Sequence, residues 1–187
     1  MVDIVTRAKN LILTPKTEWA IIASEPADTK GIFTGYVMLL AAIPAVCGFI
    51  GLTLFVGMFA GGFSLVPGFL VSTLVSYALG VGSVFVMSKI IPILAPKFGG
   101  TDAEMPALKL AAYAPTASWL AGVFLLIPAV GFLGALLGLY SIYLYYLGAI
   151  AVVKVPQEKA VVFTVVLFLV AIVIFVVIGA IASALRF

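Results

Sequence analysis

Residues 160–185 read AVVFTVVLFLVAIVIFVVIGAIASAL, twenty-six positions without an Asp, Glu, Lys or Arg. A segment so long and apolar has one stable solvent. About 20 helical residues cross a hydrocarbon core about 30 Å thick, and only a helix satisfies its own backbone polar groups there. The stretch predicts a transmembrane helix to about residue 184.

Outward from it, formal charge is absent again over residues 110–153 and 31–88. Each of these stretches is too long for one crossing, and turn residues divide it. Ile127, Pro128, Ala129, Val130 and Gly131 split the first into helices over about 106–127 and 132–153. Gly57, Gly61, Gly62, Ser64, Pro67 and Gly68 split the second into helices over about 32–56 and 67–94. The expected fold is an all-α membrane protein with five transmembrane helices, organised as an N-terminal segment 1–30 and a five-helix unit 31–187. Composition agrees: of 187 residues, 65% are hydrophobic and 9% charged, against about 25% charged in a soluble domain.

The cations orient the bundle. Arg7, Lys9, Lys16 and Lys30 precede the first crossing, Lys89, Lys97 and Lys109 flank the second connection, and Lys154 and Lys159 flank the fourth. The first and third connections carry none. The positive-inside rule then puts the N-terminus in the cytoplasm and the C-terminus, with Arg186, outside. All seven acids share the cationic side, so the net charge of +3 is no basic patch and implies no nucleic-acid partner.

Ahead of the first crossing, Met1, Ile4, Val5, Ala8, Leu11 and Ile12 share one arc of a helical wheel, with Asp3, Thr6, Arg7, Lys9 and Asn10 on the rest. This predicts an amphipathic helix. Thr14 and Pro15 then open a second short helix carrying Glu18 and Trp19. Ile4, Leu11, Ile12 and Trp19 form an interfacial anchor, read either as a docking element or as a segment tucked under the bundle.

Chemistry is sparse. There is no histidine, Cys47 is the one cysteine, and no carboxylate falls within a predicted span. Metal clusters, Cys-His pairs and intramembrane proton relays are thereby excluded, no cofactor is expected, and the chain is read as no enzyme. What the helices do carry is small residues at four-residue spacing: Ser72, Ser76 and Gly80; Ser118 and Gly122; Gly134 and Gly138; Gly179 and Ser183. Such seams allow close helix contact, within one bundle or between copies. Pro44, Pro92 and Pro115 each free a carbonyl and predict kinks. Tyr77, Tyr140 and Tyr143 fall near mid-helix, where a hydroxyl needs a partner that lipid does not supply. With Ser72, Ser76 and Ser141 they line a candidate polar pocket, or else make structural hydrogen bonds between helices.

Two stretches, RAKNLILTPKTEWAIIASEPADTKGIFTGYVMLLAAIPAVCGFIG at 7–51 and LKLAAYAPTASWLAGVFLLIPAVGFLGALLGLYSIYLYYLGAIAVVKVPQEKA at 108–160, together with the five-helix layout, resemble the Yip1-domain family. Pro15 and Trp19, Tyr113 and Pro115, the turn at Ile127 to Gly131 leading to Tyr140, and Lys154 to Ala160 carry the resemblance. Eukaryotic members of that family serve vesicle traffic and bind Rab GTPases through a long cytoplasmic tail, whereas about thirty residues precede the first crossing here. Short tails and loops resemble the bacterial members and imply residence in an inner membrane. The resemblance implies a non-catalytic protein that organises membrane partners or bilayer shape, in contact with lipid and with a membrane-protein partner or a second copy. The alternative left open is a small transporter or channel for a lipid or an uncharged solute.

Overall fold

The computed structural model describes residues 3–60 and 66–184. Met1, Gly61, Gly62, Ser64 and Arg186, and the side chains of Gly179 and Ser183, lie outside that description. All regular structure among the described residues is helical. Five helical segments are long and apolar enough to cross a membrane: Thr29–Phe55, Val66–Phe98, Glu104–Leu126, Gly131–Ala151 and Gln157–Val177.

The first crossing joins α3 (Thr29–Ile32) through one wide π-turn, Phe33–Val37, to α4 (Met38–Ala60). Asp28 caps it, accepting from Gly31 N at 2.5 Å. The second is α5 (Val66–Leu94), with Pro67 in its first turn, where the lost N–H costs nothing. A tight turn at Ala95–Phe98 ends it on Gly99, whose φ of 84° is left-handed and open to glycine. The third crossing is interrupted: α6 (Glu104–Tyr113) stops at Ala114-Pro115, α7 (Thr116–Ala121) resumes, and a 3-10 stretch, Gly122–Leu126, closes it. The fourth is α8 (Gly131–Ala151), and the fifth extends α9 (Gln157–Ala184).

Of the five, the third is central. In its most apolar window 56% of residues are buried, against 6% in the second crossing. It is also the least hydropathic, as expected of a helix that faces protein while its neighbours face lipid. The lipid-facing jacket includes Leu52, Leu54, Val71, Leu74, Val173 and Phe175, all exposed.

Glycines set the closest approaches. A methyl group on Gly51 would overlap the carbonyl oxygen of Leu125, and one on Gly122 would come within 2.5 Å of Pro44 Cβ. The first and third crossings therefore meet backbone to backbone, with Pro44 seated in the notch left by Gly122.

Ahead of the crossings, α1 (Ile4–Leu13) and α2 (Pro15–Ser24) fold back on each other about Thr14. Ala8, Leu11, Trp19 and Ile22 belong to the same buried core as the crossings. The tip of this hairpin lies deep, because Tyr140 Oη donates to Ile12 O at 2.9 Å. Tyr140 is eleven residues from the end of α8, about 16 Å along the helix axis at 1.5 Å per residue. The hairpin thus runs down one half of the bundle.

At the same end, Thr101 N donates to Val153 O at 2.8 Å, joining the connections before α6 and before α9. An exposed Lys89–Glu104 pair at 2.7 Å links α5 to α6 there. N-terminus, second connection and fourth connection thus share one charged end.

Candidate functional site

Among the described residues two polar regions occur inside the bundle, and the break at Pro115 separates them. Toward the charged end lies an ionic latch. Arg7 is 4% exposed and Glu18 2%, and Arg7 Nη1 donates to Glu18 Oε1 at 2.7 Å. Its other terminal nitrogen meets Glu25 Oε2. Asn10 Nδ2 donates to Glu18 Oε2 at 3.0 Å, so both oxygens of the buried carboxylate are satisfied. The guanidinium also lies 5.7 Å from the centre of the Tyr113 ring, within cation–π range. From α6, Lys109 Nζ donates to Ile22 O at 2.7 Å and Glu25 O at 2.6 Å, placing a cation on carbonyls that the end of α2 leaves without helical partners. Two cations and two carboxylates balance. Trp19 packs beneath them against Gly148, where a methyl would stand 2.7 Å from its ring and 2.6 Å from Leu110 Cδ1. Its buried indole N–H has no partner among the described residues.

Beside the latch is a cavity of about 410 Å³, lined by Arg7, Glu25, Asp28, Tyr36 and Tyr113 among others. The two tyrosine rings meet edge to face at 4.6 Å. Thr116 Oγ1 donates to Tyr113 O at 2.6 Å, which commits its one proton, so Tyr36 Oη is the donor in the 2.7 Å Tyr36–Thr116 bond. This chain of bonds patches the carbonyl side of the Pro115 break.

Deeper lies the second region. The restarted helix α7 leaves early N–H groups without helical acceptors, and Ser118 N, third in that helix, donates to Ser141 Oγ at 3.0 Å. The two hydroxyls bond each other at 2.8 Å. Ser141 is ten residues from either end of α8, about 15 Å by helical rise, and so at mid-depth. A cavity of about 590 Å³ opens beside this pair between α5, α7, α8 and α9, with Ser76, Gly80, Ser83, Met87, Tyr145 and Phe175 among its walls.

Of the sequence-derived pocket residues, Ser76 and Ser141 line this cavity together. Tyr77 Oη donates to Met38 O at 2.9 Å, tying the second crossing to the first, and Ser72 Oγ returns to Phe69 O at 3.0 Å. Tyr143 packs on Tyr140 with ring centres 5.6 Å apart. Of the seam residues, Gly122 meets Pro44, Gly134 faces Ala121 O, and Gly138 faces Ser118 Oγ. A methyl on Gly80 would meet nothing within 4 Å, and this glycine borders open cavity.

The N-terminal anchor residues are placed differently from a surface helix. The buried stripe of α1 is Arg7, Ala8 and Leu11, while Ile4 and Ile12 are half-buried and Val5 is 69% exposed. Trp19 is fully buried at the level of Gly148. Arg7, Glu18, Glu25, Lys109, Tyr36 and Thr116 were not legible as a site. The signal was present in spacing: Glu18 shares a face of α2 with Ile22, Glu25 follows at the end of that helix, and Arg7 shares a face of α1 with Ile4 and Leu11. Among the described residues no three of His, Cys, Asp and Glu group closely enough to hold a metal ion, and Cys47 is a half-buried free thiol.

A family model for the Yip1 domain matches residues 9–178, which takes in most of the hairpin and all five crossings. Inner membrane protein YohC of Escherichia coli (strain K12) is 29% identical to the chain over 157 residues, covering 80% of each protein. The YohC of Escherichia coli O6:H1 (strain CFT073) matches with the same identity and coverage. No solved structure matches the chain.

Proposed function

Since the chain belongs to the Yip1-domain family, we propose that it is a non-catalytic integral protein of the inner membrane that organises membrane partners or the shape of the bilayer. The observation that carries this reading is the latched hairpin. Pairing of Arg7 with Glu18 and Glu25 holds the short N-terminal segment in one shape, and the bonds of Lys109 to Ile22 O and Glu25 O and of Tyr140 to Ile12 O fix it on the bundle. Exposed Asp28, Lys30, Asp102, Glu104, Lys154 and Glu158 then form a mixed-charge end that presents a fixed pattern to a partner. By the positive-inside rule this end faces the cytoplasm.

The test is crosslinking and affinity capture of the full chain from native membrane, comparing the natural protein with the Lys30→Glu, Lys154→Glu double variant. A partner recovered with the first and lost with the second supports the proposal. Capture of the same proteins by both overturns the charged end as the docking face. Orientation is read separately in a Cys47→Ser background. Thiols introduced as Lys30→Cys and Gly131→Cys are expected to be reached by impermeant reagents from opposite sides.

A second reading, a small transporter or channel for a lipid or uncharged solute, is favoured by the cavity of about 590 Å³. Flux or scrambling in proteoliposomes that Gly80→Leu abolishes would establish it in place of the first.

A further inference from the structure

The mid-depth cavity has a chemistry that its own protein walls leave incomplete. Ser83 returns its hydroxyl to Gly80 O at 2.6 Å, as Ser72 and Ser88 do to carbonyls of their own helix. The hydroxyls of Ser76 and Tyr145, which line the same space, have no acceptor among the described residues. The Ser118–Ser141 pair adds a third donor. Only one of its two protons serves the bond between them, and Ser118 N already fills an acceptor position on Ser141. Whichever hydroxyl donates, the proton of the other is left over. The wall therefore has hydroxyl protons with no acceptor in the protein, beside hydroxyl lone pairs that are also unused.

At mid-depth, lipid tails supply no acceptor, and each unmade hydrogen bond is costly. The lining residues carry no formal charge. A bare phosphate or ammonium group would lose its hydration without compensation and is disfavoured. The remaining walls, among them Met87, Phe168 and Phe175, are mostly apolar, and the volume lies within the roughly 300–1,000 Å³ of small-ligand sites.

We propose that this cavity is a binding site for a neutral lipid of the diacylglycerol type, entering sideways from the bilayer. Its ester carbonyls accept from Ser76, Tyr145 and the Ser118–Ser141 pair, and its chains lie along the apolar walls. The site needs neither transport nor a protein partner, so its failure would leave the organising role untouched.

Gly80 allows a direct test, because a Cβ there meets nothing within 4 Å and the residue lines the cavity. The full-length chain is reconstituted in phosphatidylcholine vesicles doped with a diazirine-bearing diacylglycerol, photolysed, digested and mapped by mass spectrometry. A second arm uses phosphatidylcholine bearing the same diazirine chain. Diacylglycerol adducts are expected to concentrate on the peptides holding Ser76 to Met87 and Ser141 to Tyr145. They should fall at least fivefold in Gly80→Leu and remain in Gly68→Leu, where a methyl likewise meets nothing within 4 Å. Tyr145→Phe keeps the ring and should lower diacylglycerol labelling twofold or more while leaving the phosphatidylcholine arm unchanged. Adducts spread evenly over lipid-facing α9, insensitivity to both Gly80→Leu and Tyr145→Phe, or equal concentration of the phosphatidylcholine probe in the cavity would each overturn the proposal.

Discussion

The two polar layers on either side of Pro115 handle the same problem in opposite ways. The latch contains four formal charges, and each finds its complement: Arg7 meets Glu18 and Glu25, while Lys109 meets two backbone carbonyls. The mid-depth layer contains only hydroxyls, and several of those have protons to spare. Charge is tolerated in the interior where it is closed, and openness is tolerated where there is no charge. The closed layer is structural, and the open layer is where a ligand has something to complete.

This contrast predicts a graded response to substitution. Glu18→Leu should be the most damaging, because it strands buried Arg7 with a partly exposed Glu25; breaking one side of a buried pair costs about 3–5 kcal/mol. Thermal unfolding in mild detergent measures it, and the double variant Arg7→Met, Glu18→Leu should regain most of the loss. A single variant as stable as the natural protein would remove the latch from the account. Next comes Lys109→Met, which uncaps α2 at a cost of about 2–3 kcal/mol for its charge-assisted bonds. Local opening of the hairpin should appear as faster tryptic cleavage at Lys9 and Lys16, with the crossings still protected.

In the open layer effects should be smaller. Ser141→Ala leaves Ser118 N without its acceptor, and bonds of this kind between membrane helices are worth about 0.6 kcal/mol on average. A shift in the unfolding midpoint comparable to that of Lys109→Met would mean that the serine pair is as structural as the latch. Ser76→Ala should change stability by less than about 0.5 kcal/mol, since no protein group depends on that hydroxyl. A clear destabilisation in the same assay would reveal a partner within the fold and close the open layer.

The five crossings were legible because charge and apolar length are one-dimensional signals. The gap at 110–153 and the Pro128 turn locate α7 and α8 without reference to any neighbour. The third crossing was legible as a span but not as the central, interrupted one, although its low hydropathy and Pro115 both point that way. The latch was hidden by a sound rule applied in the wrong surroundings. A charge on a short helix normally faces water, and that rule assigns Arg7 to the polar face and Val5 to the apolar one. The structure buries Arg7 and exposes Val5, because carboxylates on α2 supply what water would have supplied. Tyr77 and Tyr140 raised a valid question of depth, and backbone carbonyls of Met38 and Ile12 answer it. One of those, Ile12 O, lies among the last carbonyls of α1, which have no helical donor of their own.

That last bond spans 128 positions of sequence. During synthesis the hairpin leaves the ribosome before the polar groups that tie it to the bundle exist: Lys109 arrives only with the third crossing, Tyr140 later still, as does Gly148, against which Trp19 packs. Arg7 and Glu18 therefore have no reason to enter the bilayer alone. The expected order of assembly is insertion of the crossings first, with the earliest residues of the chain docking last, once the fourth crossing is in place.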